Sequence, residues 1–268
     1  MRILNSYYSK EYFLGIPDQL SMVNLGSTYS LFACNNYREF NINGCNLAQH
    51  QNPLEYDWDV LKKYYTHLQP GAMVAITLAP CVMMSRPFIR KKEKFLSRAA
   101  IKNKIKAITG RFTIGDITDY FPIAYSDELV NENILGLVKG WETLFSLPNL
   151  KEASLSENNL KNIRFNVDIL AKMINFCCEN NFMPVVVITP MSELLNQHFS
   201  DEFVYAALHN PIKMALEQSR SVKVLDYRKD SMFSNHPSFW LDGGFRLNKL
   251  GSKVFMRRFI MDAKKDVL

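Results

Sequence analysis

The chain has 268 residues, of which 47% are hydrophobic, 12% aromatic and 22% charged, which excludes a disordered polypeptide and is enough to bury a sizeable core. The formal net charge is +6, yet residues 86–111 hold ten Lys or Arg and a single acid, Glu93, so the rest of the chain is net acidic. Overall charge therefore gives no argument for nucleic-acid binding, and no recognised nucleic-acid module is present.

The first residues lack the apolar stretch of a signal peptide, and no run approaches the roughly 20 apolar residues of a membrane span. The five cysteines (Cys34, Cys45, Cys81, Cys177 and Cys178) are odd in number and form no CxxC pair. They read as free thiols filling a core in a reducing cytoplasm rather than as metal ligands.

In chain order, residues 21–25 form the first short apolar run, which opens into Gly26-Ser27. Residues 40–47 are predicted as a second strand. After Pro53, Leu54, Trp58, Leu61, Tyr65 and Leu68 fall on one helical face. Residues 73–79 are a third strand. The stretch 86–149 interrupts the alternation and reads as an insertion or lid within a single domain spanning 1–268. Within it, residues 96–108 can form a basic amphipathic helix, suited either to packing on the domain or to an anionic membrane or a phosphorylated ligand.

Farther on, Ile163, Val167, Leu170, Ile174 and Cys177 share one helical face that feeds a strand at 183–189. A helical region at 201–219 is expected to break near Asn210-Pro211, because proline cannot continue the backbone ladder. A strand at 222–227 follows. The last helix is predicted to start at Asn248, a good N-cap, and to bury Leu250, Val254, Phe255 and Phe259. Strands that are apolar without alternation, separated by helices, predict an α/β fold with a parallel sheet. In such sheets ligands bind beyond the carboxyl ends of the strands.

Several residues then stand where chemistry can occur. Ser27 follows directly on a strand, either as a nucleophile whose amide also helps hold an oxyanion or as the cap of the next helix. In Asn43-Gly44-Cys45-Asn46, the Gly44 amide and the Asn46 side chain are candidate donors to a substrate, or else part of a turn. Asp242 is a candidate acid for orienting a histidine. Phe245 and Arg246 lie three and four residues on, and neither is a base. His236, six residues before the acid, is the nearest histidine to it and so the candidate base.

Taken together these segments resemble the SGNH/GDSL hydrolase superfamily, in particular its divergent members from bacterial surface-polysaccharide gene clusters. The carriers are Val23-Asn24-Leu25-Gly26-Ser27-Thr28-Tyr29-Ser30, Asn43 to Ala48, Val186-Val187-Ile188-Thr189-Pro190, and Trp240-Leu241-Asp242 through Leu247-Asn248-Lys249-Leu250-Gly251. The resemblance implies a flavodoxin-like three-layer α/β/α sandwich with a central parallel sheet. It implies a serine esterase or O-acyltransferase acting on a surface glycan or its precursor, with no metal and no cofactor. Ser27 would be the nucleophile, Asp242 the acid, and Gly44 an oxyanion donor with the Ser27 amide. The chain departs from the family in two places. The Gly-x-Asn block after the third strand has no counterpart, and the closing histidine is replaced by Phe245 or Arg246. The alternative is therefore a glycan-binding or assembly protein without catalytic histidine, in which Arg246 binds a carboxylate or phosphate. In either case the protein is expected in the cytoplasm, with the basic segment able to bring it to the inner face of the membrane.

Overall fold

The computed structural model describes residues 16–49, 52–85 and 127–265. The basic segment 86–111 and most of the expected insertion lie outside the described residues. The last part of that insertion forms a helix, α3 (Asp127–Phe145).

Five parallel strands form one sheet in the order β2-β1-β3-β4-β5. They are β1 (Leu20–Leu25), β2 (Gly44–Asn46), β3 (Leu68–Leu78), β4 (Met183–Ile188) and β5 (Lys223–Asp226). The order reverses between β1 and β3, the switch point at which open α/β sheets form a crevice. The fold is thus the α/β three-layer arrangement predicted from the strand pattern.

Strand periodicity assigns the two faces. Val23, Leu25, Val74, Ile76, Val186 and Ile188 point into one core. Met22, Met73, Ala75, Val185 and Val187 point into the other. The first core is covered by α2 (Leu54–Tyr64), α3 (Asp127–Phe145), α4 (Glu157–Glu179) and the helical run that ends at Glu217. The second is covered by α1 (Thr28–Ala33) and α9 (Lys249–Lys264). All five residues of the predicted α4 face are buried.

Between β4 and β5 lie α5 (Glu193–Asn196), α6 (Asp201–Val204), a π turn at Tyr205–His209 and α7 (Asn210–Glu217). The helix does not break at Asn210-Pro211. The wider π turn just before it absorbs the missing proline donor, and Pro211 lies in the first turn of α7. After β5 come the short α8 (Ser231–Ser234) and α9.

Two boundaries differ from the sequence reading. Residues 37–40 form a 3-10 turn, and Asn41 adopts a left-handed conformation, so β2 shrinks to its three residues at Gly44. Asn248 does cap α9, its Oδ1 accepting from the Gly251 amide at 3.0 Å. The buried face, however, runs through Ser252, Phe255, Met256, Phe259 and Ala263, leaving Leu250 53% exposed. Leu250 is five residues before Phe255, about 140° away around the helix, and so faces solvent. Among the described residues no helix is long and apolar enough to cross a membrane.

Candidate functional site

Ser27 lies just past β1, in a cleft of about 640 Å³ at the switch point. The walls come from Tyr29 on α1, Pro80 and Cys81 after β3, Gly136, Gly140 and Trp141 on α3, and Phe245 with Arg246 from the loop before α9. The turn that delivers Ser27 depends on Gly26. Its φ is +135°, and a Cβ there would lie 2.1 Å from Thr77 Oγ1. Ser27 precedes α1 but its side chain makes no capping bond. It is 9% exposed, and its Oγ has no hydrogen-bond partner among the described residues.

Behind the turn sits Asp57. It is fully buried on α2 and accepts a hydrogen bond from the Gly26 amide, while its Oδ1 has no partner. Desolvation by burial pushes its carboxyl up to about 8, the Gly26 bond opposing this only in part. The same burial raises the Tyr29 hydroxyl, which donates to the Thr77 carbonyl at 3.2 Å. Cys81, buried and left-handed at φ 73°, has its thiol raised by desolvation, which leaves it a poor nucleophile.

Asp242 occupies a tight loop closed by the Trp240–Leu247 bridge and the Leu241 amide donating to the Arg246 carbonyl at 2.8 Å. Its Oδ1 accepts from the amides of Gly244 (3.2 Å), Phe245 (2.9 Å) and Arg246 (2.9 Å). Its Oδ2 accepts from Arg246 Nε at 2.8 Å. The carboxylate is 5% exposed and holds the arginine rather than a histidine. The Arg246 guanidinium reaches the cleft and lies over the Phe32 ring, 5.7 Å from its centroid. Phe245 packs edge-on against Tyr29 and Trp141, at centroid distances of 5.6 and 5.0 Å.

The other residues picked out in sequence lie elsewhere. Gly44 pairs with Met22, five residues before Ser27 and so about 16 Å back along the strand. Its small size accommodates the Tyr37 ring, which a Cβ would meet at 2.3 Å. Neither it nor Asn46 lines the cleft. Asn46 donates to the carbonyls of Leu31 (3.1 Å) and Cys34 (2.8 Å) and accepts from Asn24 at 2.9 Å. It thereby clamps α1 to the sheet edge. His236 is exposed and stacks on Phe239 at 5.1 Å. His67 pairs with Asp18 and His209 with Asp226. None of these, nor His198, lines the cleft, and His50 lies outside the described residues.

Sequence reasoning missed Asp57, Gly136 and Gly140. Asp57 did leave a signal. It is three residues after Leu54 and four before Leu61, on the apolar face of α2. The two glycines four apart in an otherwise helical pattern were a second signal.

No family model matches the sequence, and no curated protein matches it. Solved structures similar in fold include a proposed acylhydrolase from Bacteroides fragilis, 11% identical over 93% of this chain and 90% of that one, with a TM-score of 0.47. Another is a proposed platelet activating factor from Streptococcus pneumoniae, 10% identical over 98% of this chain and 88% of that one, with a TM-score of 0.44.

Proposed function

We propose that this chain is an SGNH-like binding protein whose cleft holds an anionic ligand on Arg246, beside a serine that lacks its usual histidine. The observation that supports this reading is the set of donors that Asp242 holds. Three amides occupy one oxygen and Arg246 Nε bonds the other, so the side chain this acid orients is an arginine and not an imidazole. Arg246 keeps its Nη groups without a hydrogen bond among the described residues, in a fork suited to a carboxylate or phosphate. An acidic surface glycan or an acylated precursor of one meets that requirement.

The test is calorimetric titration with acetate and with glucuronate. Binding that is lost in Arg246→Ala and kept in Ser27→Ala is the expected result. Equal affinity in wild type and Arg246→Ala would overturn the reading.

A second reading is a serine esterase or O-acyltransferase acting on such a glycan. One observation favours it: Ser27 lines the cleft, and its Oγ makes no hydrogen bond among the described residues. In this reading the base is none of the described histidines, since none of them lines the cleft. Fluorophosphonate labelling that disappears in Ser27→Ala would favour the esterase over the binding protein.

A further inference from the structure

The turn that carries Ser27 into the cleft is tied on several sides. The Leu25 carbonyl accepts from Thr77 Oγ1 and from Ser30 Oγ, the second at 3.0 Å. The Gly26 carbonyl accepts from the Gln49 amide at 3.1 Å. The Gly26 amide donates to Asp57. Of these partners only Asp57 carries a group that ionises in the ordinary pH range.

Its surroundings make that ionisation costly. Asp57 is buried on α2, its Oδ1 has no hydrogen-bond partner, and no cation among the described residues pairs with it. An anion so placed loses its hydration and gains one amide in return, so the neutral acid is the stable form. Glu55 and Asp59, two residues to either side, lie on other faces of the helix and are less buried. No charged side chain of α4, the helix packed on α2, acts on Asp57. At the cleft the titratable groups are Tyr29, Cys81 and Arg246. Burial holds the hydroxyl and the thiol neutral, and arginine stays protonated. Asp57 is therefore the group behind this cleft whose charge changes near neutral pH.

An ionised Asp57 works against a bound anion in two ways. It places an unpaired negative charge behind Ser27, on the far side of the turn from the ligand. It also demands donors that the fold does not supply. Water must then enter beneath the turn or the carboxylate must leave its place, and the Gly26-Ser27 wall shifts with it. Tyr29 extends the effect: its hydroxyl feels the Asp57 charge, and its ring packs edge-on against Phe245, the neighbour of Arg246.

We infer that Asp57 is a positioning residue for the cleft: the anion is bound while Asp57 carries its proton and is released as that proton is lost. This rests on the reading of Arg246 as the anion site and adds to it a control by pH.

Calorimetric titration of the full chain with acetate from pH 6 to pH 9, repeated in two buffers of different ionisation heat, tests the inference. Asp57 releases its proton around pH 8, so wild-type affinity should fall about tenfold by pH 9. Binding at pH 9 should take up about one proton per acetate. Asp57→Asn, which keeps an acceptor for the Gly26 amide but cannot ionise, should show one affinity across the range and take up none. A wild-type affinity that is the same at pH 6 and pH 9, or proton uptake that persists in Asp57→Asn, would overturn the inference and leave the anion site standing. Acetate bound by neither protein at any pH would overturn the Arg246 reading, and the pH control with it.

Discussion

Arg246 Nε lies 2.8 Å from Asp242 Oδ2, and that contact closes the carboxylate around its own loop. The loop sequence Asp242-Gly243-Gly244-Phe245-Arg246 lets one oxygen collect three successive amides, leaving the other for the side chain four residues on. The acid thus positions an arginine at the mouth of the cleft.

Arg246→Ala is expected to do two things. It removes the anion site, and it leaves Asp242 Oδ2 buried without its charged partner, at a cost of about 1–3 kcal/mol. Asp242→Asn should cost less than Asp242→Ala, because an amide oxygen can still accept from the three backbone donors. Denaturant unfolding of the three variants checks the order.

Phe245→His alone should leave Ser27 unlabelled by fluorophosphonate. The new imidazole would find Asp242 already held by Arg246, and without that acid it is neither oriented nor stabilised as a cation. Labelling should first appear in the double variant Phe245→His with Arg246→Ala, which frees Oδ2. Labelling of the single variant would mean that the Asp–Arg pair does not govern the site.

Asp57 gives the fold a pH dependence. Its carboxyl is raised from 3.8 to about 8 in the folded protein, so the folded state holds this proton where the unfolded chain has released it. Its contribution is fully present below about pH 4 and is lost as pH rises towards 8. Asp57→Asn removes that loss. The variant should gain stability over wild type through this window, by about 2–5 kcal/mol at its upper end, and no further above it. Melting temperatures of both proteins from pH 5 to 9 should diverge; parallel curves would contradict the assignment.

Asn46 is expected to act on stability, through the α1 carbonyls it binds. Asn46→Ala should lower stability by about 1–3 kcal/mol with acetate affinity changed less than twofold. A selective loss of acetate binding with unchanged stability would return Asn46 to the ligand.

The sheet was legible because each strand carries its own evidence. Continuous apolar runs at 183–188 and 73–78 can be buried only between two helical layers, and the face of α4 repeats at helical spacing. The placement of Ser27 at a strand exit followed from the same local signal. The site was legible only in part. Gly44 resembles an oxyanion donor when read from its neighbours, but strand register sets it opposite Met22, and register is a property of two segments at once. His236 is close to Asp242 in sequence, yet its ring stacks on Phe239.

By itself, the amino-acid order determined the alternation of strands and helices, the serine after β1 and the absence of a histidine from the loop between Asp242 and Arg246. Each of these is written in local periodicity or residue identity. Only the tertiary structure decided what Asp242 holds, what Asp57 lies beneath, and which face of α3 meets Ser27. Those depend on groups far apart in the chain brought within a few ångströms, where burial and hydrogen bonding set their chemistry.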